Sequence, residues 1–368
     1  MSKIIQIYFI PASVFLSVMI GGGYGTGREV VEFFTQYGLL GGLLAILVSA
    51  IIFALVLGLT FDFARVFHVY DYRSFFKQLI GPYWVLFEVL YLLLFLLILG
   101  VVSAAAGDIL EQRFQISPFI GLVAMPLLVT VFVLFGRLVV ERALALWSIL
   151  MYAVFICYFV IIIQQADALS LIQQNSQQIN SGWLLSGALY ALYNLAIAPG
   201  LLFTTRHIKT RAQAFSVAAI TAMAILIPAL LFHLSYTVGS AQVLGEPLPN
   251  YWMIKNYGPD WLLLLFILAL LGTLIETGVG LVQSVVERLS SGPATSKQLG
   301  KTARAAIALI SVSLAAMLGS LGIIELISKG YSLMSYGFAL VYVLPILSIG
   351  VYRLWAKQRQ QHLKTQSS

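Results

Sequence analysis

The chain of 368 residues is 60% hydrophobic and only 10% charged, with a mean hydropathy of +0.96. That is too little polar surface to cover a soluble globule of this size, so the composition places the chain in a bilayer. A net charge of +7 with a pI near 9.4 would suit nucleic acid only if basic residues and aromatics shared one exposed face; no loop offers this, and no nucleic-acid partner is expected.

Ten apolar segments are long enough to span about 30 Å of hydrocarbon. They lie at 4–35, 38–62, 82–107, 116–136, 139–165, 182–206, 212–238, 259–287, 301–325 and 330–355. The first follows Lys3 as a secretory leader would, yet it is too long and has no A-x-A-like site after it, so it reads as retained. Its second half contains GGGYGTGREVVEFF, with five glycines among the residues from Gly21 to Gly27, then Arg28, Glu29 and Glu32. Each glycine costs about 1 kcal/mol against alanine inside a helix, more than a close helix crossing requires of five of them. The stretch predicts a break in the helix, and backbone freed at that depth must line a cavity or meet a ligand. It is not the G-x-G-x-x-G of a nucleotide fold, and its single Gly-Tyr-Gly lacks the fourfold repetition of a potassium filter. Arg28 and Glu32, at i and i+4, fit either a gate or a solvated helix end.

The third segment carries Glu88 and Tyr91, each readable as cavity-lining or as ordinary membrane packing. Cys157, the only cysteine, rules out an intrachain disulfide and reads as a buried core residue. A linker rich in Gln, Asn and Ser, from Gln164 to Ser181, precedes the sixth segment, where Asn194 to Gly200 ends in Ala-Pro-Gly. Proline there predicts a second break. It falls at the start of a second set of five segments, and because five is odd that set runs inverted through the membrane. Broken first helices in both halves are the sequence signature of a secondary transporter with its site between the breaks. The chain therefore divides into a first five-helix repeat (1–165), an external linker (166–181), an inverted repeat (182–356) and a cytoplasmic tail (357–368). His233 in the seventh segment reads as a packing residue, and GEPLPNYW, Gly245 to Trp252, as a lid over the vestibule. In the eighth, LGTLIETGVG puts Thr273, Glu276 and Thr277 on one helical face; a carboxylate at this depth is functional by default.

With both termini cytoplasmic, all but four of the 21 basic residues fall on the inside; Arg28, Arg113, Lys255 and Lys329 are the exceptions. A bacterial inner membrane is the expected location, and the bilayer and a small-molecule substrate are the expected partners. No H-E-x-x-H or G-x-S-x-G occurs, so the chain does not read as an enzyme.

The Gly-rich stretch and Gly27-Arg28-Glu29 resemble the amino acid–polyamine–organocation superfamily with its LeuT-type five-plus-five fold, and within it the YkvI-like amino acid permeases. The resemblance extends over all the segments in order and spacing, with its specific part in helices 1, 6 and 8. It implies a cation-coupled symporter for a small amino acid or related amine, with an organic-cation or osmolyte carrier as the alternative. It implies a substrate site at Gly22, Gly23, Gly25, Thr26, Gly27, Tyr91, Tyr193, Asn194 and Ala196, with the Gly25 and Gly27 amides facing a carboxylate. It implies a coupling-cation site at Gly21, Tyr24, Thr273, Glu276 and Thr277, which Na+ or H+ would fill, and no other cofactor. Glu276 stands where sodium-coupled relatives carry a hydroxyl.

Overall fold

The computed structural model describes residues 3–19, 23–135, 137–165, 177–239, 241–290 and 301–366. Gly21, Gly22 and most of the 166–181 linker lie outside the described residues. Every regular element among those described is helical, and no strand occurs among them.

A π-helical turn, Ile5–Phe9, leads into α1 (Ile10–Met19), and after an interruption the chain resumes as the short α2 (Arg28–Phe33). Then follow α3 (Leu39–Phe67), α4 (Tyr72–Ile80), α5 (Trp84–Phe114), α6 (Pro118–Phe135) and α7 (Arg137–Ile163). Next come α8 (Trp183–Asn194), a 3-10 helix (Leu195–Thr205), α9 (Arg211–Val238), α10 (Pro249–Tyr257), α11 (Asp260–Ser290) and α12 (Lys301–Gly319). The last run comprises α13 (Ile323–Glu325), a π-helix (Leu326–Tyr331), α14 (Ser332–Phe338), two further π turns and α15 (Val351–Gln366). Among the described residues six runs are long and apolar enough to cross a membrane: Leu39–Phe67, Tyr72–Phe114, Trp183–Thr205, Arg211–Val238, Asp260–Val282 and Ile323–Gln360. Shorter apolar helices lie at Ile5–Leu16, Pro118–Phe132, Leu150–Ile163 and Leu309–Gly319.

The helices are apolar on both faces, so side-chain size and hydrogen bonding, rather than polarity, decide which face turns inward. On α3, Leu47, Ile51 and Leu55 form an exposed stripe at every fourth position, while Ala45, Ser49, Phe53, Val56 and Thr60 are buried. Lipid solvates the stripe. Cys157 lies on a similar outer face of α7: it is exposed, not buried as its apolar surroundings in sequence suggest, because hydrocarbon solvates a thiol as readily as a core does.

Hydroxyls hold α8 in place at the centre. Ser49 Oγ donates to Gly187 O (2.7 Å), Ser186 Oγ to Phe33 O (2.8 Å) and Ser335 Oγ to Leu189 O (2.7 Å), tying α8 to α3, α2 and α14. A Cβ on Gly187 would collide with the Ala45 backbone, so glycine here lets α3 and α8 approach. With α8 fixed against α2, and α1 against the 3-10 helix, the two interrupted helices are neighbours.

The interruptions differ. In the first helix, Gly25–Gly27 form a turn and bend, and Gly27 has φ = 81°, a left-handed conformation that glycine adopts without strain. The second stretch, Asn194 to Gly200, is not unwound as the proline suggests. The α-helix ends at Asn194 and continues as eleven residues of 3-10 helix, which keeps the chain coiled through Pro199.

Candidate functional site

A cavity of about 100 Å³ lies where the interruptions meet. Val18, Met19 and Gly23 border it from the first helix, Glu29 from α2, and Tyr91, Leu94, Phe95 and Ile98 from α5. Tyr193, Asn194 and Ile197 come from the α8-to-3-10 junction, Thr277 and Leu281 from α11, and Tyr331 from the π-helix.

Of the residues read from the sequence as substrate-binding, Gly23, Tyr91, Tyr193 and Asn194 border this cavity, and so does Thr277 from the coupling set. Gly25, Thr26, Gly27 and Ala196 are buried but do not border it. Tyr24 and Thr273 are likewise buried away from it, and Glu276 is half-buried one residue from Thr277 without bordering it. Thr277 Oγ1 donates to Thr273 O at 2.9 Å, so the carbonyl read as an ion ligand already accepts one bond.

Three carbonyls at the first break find donors within the chain. Asn250 Nδ2 donates to Tyr24 O (2.8 Å) and Gly25 O (3.1 Å), and Asn250 N donates to Thr26 O (3.2 Å). Tyr236 Oη in turn donates to Asn250 Oδ1 at 2.5 Å. Gly27 faces this cluster: a Cβ there would run into Tyr236 Oη and come within 2.9 Å of Asn250. The α2 amino end is also engaged, since Arg28 N donates to Thr26 Oγ1 (3.3 Å) while Val30 N and Val31 N bond Gly27 O. For these three carbonyls an asparagine from the 241–257 segment, rather than a ligand, supplies the donors.

Arg28 and Glu32 form an ion pair at 2.7 Å, and the other Arg28 amino group donates to Leu244 O (2.6 Å) and Glu246 O (3.1 Å). The segment that reads as a lid is thus clamped onto α2. Beside the clamp lies a second cavity of about 240 Å³, bordered by Thr35, Gln36, Asn180, His233 and Thr237 among others. His233 is fully buried, with Nδ1 3.1 Å from Thr35 Oγ1 and Nε2 2.9 Å from Leu39 O. At another point Asp62, fully buried, accepts two bonds from Arg65 (2.6 and 3.0 Å), and Arg65 donates to Lys209 O at 3.3 Å.

Glu29 is a residue to which sequence reasoning gave no role. Noted only as a neighbour of Arg28, it is 3% exposed, borders the central cavity and accepts a hydrogen bond from Tyr193 Oη. Its carboxylate packs against Gly23, where a Cβ would lie 2.9 Å from Oε2. A signal was present: Arg28 and Glu32 share one helical face, and 3.6 residues per turn put Glu29 about 100° away from Arg28.

No family model matches the chain. It is 26% identical over 200 residues to the uncharacterized membrane protein YkvI of Bacillus subtilis (strain 168). That match covers 52% of this chain and 55% of the relative, so the chain spans little more than half the length of the curated relative it matches. Among solved structures it is similar to a Na+-coupled sialic acid symporter in a substrate-bound, outward-open state, with 13% identity and a TM-score of 0.54. That likeness covers 95% of this chain and 87% of the other. It is also similar to the manganese transporter of Eremococcus coleocola, with 17% identity, a TM-score of 0.56, and 92% and 77% coverage. At these identities the likeness is one of fold: this is an all-α integral membrane protein of LeuT type, interrupted in its first helix and passing from α- to 3-10 helix at Asn194.

Proposed function

We propose that the protein is a secondary active transporter that moves a small amino acid or related amine across the membrane by alternating access, coupled to a cation gradient. The observation that carries this is the placement of a cavity between the interrupted first helix and the α-to-3-10 junction of its neighbour, the kind of arrangement by which transporters with discontinuous helices hold a substrate near mid-membrane. On this reading, Gly23, Tyr91, Tyr193 and Asn194 contact substrate. The Thr273 carbonyl, Glu276 and Thr277 form the coupling-cation site, filled by Na+ or H+. Arg28 and Glu32 gate the end covered by the 241–257 segment. The two five-helix repeats move against each other, with both termini cytoplasmic in a bacterial inner membrane. A carrier of organic cations or osmolytes is the second reading, favoured by the carboxylate bordering the cavity.

Uptake of labelled amino acids and amines into proteoliposomes under imposed Na+ or pH gradients tests the proposal. Under proton coupling, Glu276→Gln retains exchange but loses accumulation driven by a pH gradient. Under sodium coupling, the same substitution weakens sodium dependence. No gradient-driven uptake of any amino acid or amine overturns the reading.

A further inference from the structure

Among the described residues the one charged side chain bordering the central cavity is a carboxylate. The rest of the polar border is an amide, a threonine hydroxyl and tyrosines, with no described lysine, arginine or histidine. Glu29 accepts from Tyr193, and no described basic side chain forms an ion pair with it; its neighbour Arg28 is committed to Glu32 and to two carbonyls of the 241–257 segment. An ionised carboxylate held inside a membrane bundle with one neutral donor is costly, and a ligand of opposite charge offsets that cost.

Rings stand beside it. The Tyr193 and Tyr331 ring centroids are 4.8 Å apart, and both residues border the cavity along with Tyr91 and Phe95. Aromatic faces next to a carboxylate attract an ammonium group, through the ring quadrupole as well as the charge. Two competing ligand classes fit poorly. An anion would meet Glu29 with no described basic residue at the cavity border to balance it, and neither Gly25 nor Gly27 borders the cavity. A divalent metal needs six or more oxygen ligands or a cluster of acidic or histidine side chains, and no group of three His, Cys, Asp or Glu occurs among the described residues.

We infer that Glu29 is the counter-ion for the ammonium group of the ligand, so that the central cavity recognises a small organic amine, including the amino end of an amino acid, and rejects the corresponding anion. This rests on the transporter reading only in taking the same cavity as the ligand site.

The test uses the purified protein and calorimetric titration with propylamine, ethanolamine, alanine, propionate and sodium chloride. At least one of the three amines binds and propionate does not; Glu29→Gln weakens the amine by about tenfold or more, the scale of a lost charge-assisted hydrogen bond. Tyr193→Phe, which keeps the carboxylate, retains the preference for amine over propionate and serves where Glu29→Gln folds poorly. Binding of propionate as tight as propylamine, unchanged amine affinity in a folded Glu29→Gln, or failure of all three amines overturns the inference. So does Glu29-dependent binding of sodium alone. Uptake in proteoliposomes separates the two proposals. Glu29-dependent binding without uptake removes the transporter reading and leaves the counter-ion, whereas uptake indifferent to Glu29→Gln does the reverse.

Discussion

Asn250 donates through its side-chain amide to the carbonyl of Tyr24, 226 positions away in sequence, at 2.8 Å in a fully buried setting. The same amide reaches Gly25 O, so one side chain from the short helix α10 satisfies two carbonyls of the interrupted first helix. Removing it leaves carbonyls unpaired, at about 1–3 kcal/mol for each buried group. Asn250→Ala is expected to lower the thermal midpoint of the detergent-solubilised protein clearly. Asn250→Asp, similar in shape but unable to donate, lowers it at least as much. An unchanged midpoint in Asn250→Asp would show that the amide is not what satisfies the break.

Gly27 and Gly200 make a matched pair. At Gly27 both the left-handed φ and the contact with Tyr236 and Asn250 oppose any side chain, whereas a Cβ on Gly200 meets nothing within 4 Å. Gly27→Ala is expected to reduce the yield of folded protein or its midpoint, with a strain cost of about 1 kcal/mol or more before the clash is counted. Gly200→Ala leaves both unchanged. Size-exclusion profiles and melts of the two variants read this directly. A side chain at Gly27 therefore reports on folding, not on the space available to a ligand.

Hydropathy and segment length made the apolar helices legible, because a bilayer imposes both. The first interruption was legible too: nothing but glycine tolerates the turn at Gly27. What filled that turn was not. Asn250 sits in a short polar stretch whose neighbours carry no periodicity, and its partners are distant in sequence, so only packing reveals its role. Glu29 was passed over because attention fell on the i, i+4 pair of Arg28 and Glu32, although its angular position on the helix differs from theirs. The sixth helix misled in the other direction: Ala-Pro-Gly ends the α-helix as proline should, but the freed residues tighten into a 3-10 coil.

Arg28 holds the 241–257 segment through two carbonyls and holds Glu32 through an ion pair, so its loss releases more than the loss of Glu32. In a Cys157→Ala background, a cysteine replacing Thr237 beside the second cavity provides a reporter. Its reaction with a membrane-impermeant maleimide is expected to quicken severalfold in Arg28→Ala and less in Glu32→Gln. Equal rates in all three proteins would mean that the clamp does not control access.

Asp62 is fully buried and takes two bonds from Arg65 on one oxygen, while Arg211 lies 3.9 Å from the other. Neutralising it leaves both guanidinium groups facing an amide. Loss of one partner from a fully buried pair costs about 3–5 kcal/mol. Arg65 reaches solvent, so Asp62→Asn is expected to cost about 2 kcal/mol. Arg65→Lys, which loses the paired geometry but keeps the charge, costs less. Denaturation midpoints of the two variants should keep that order.

The 3-10 stretch after Asn194 also changes how far a given number of residues carries the chain. Eleven residues rising about 2.0 Å each span about 22 Å, where an α-helix would span about 16 Å. The sixth helix therefore gains about 6 Å of reach without an added residue, and its far end, at Thr204 and Thr205, lies farther along than an α-helix of the same eleven residues would carry it. Both hydroxyls then donate three residues back, to Leu201 O and Leu202 O, a spacing that matches the tighter coil and helps to hold the extension in place.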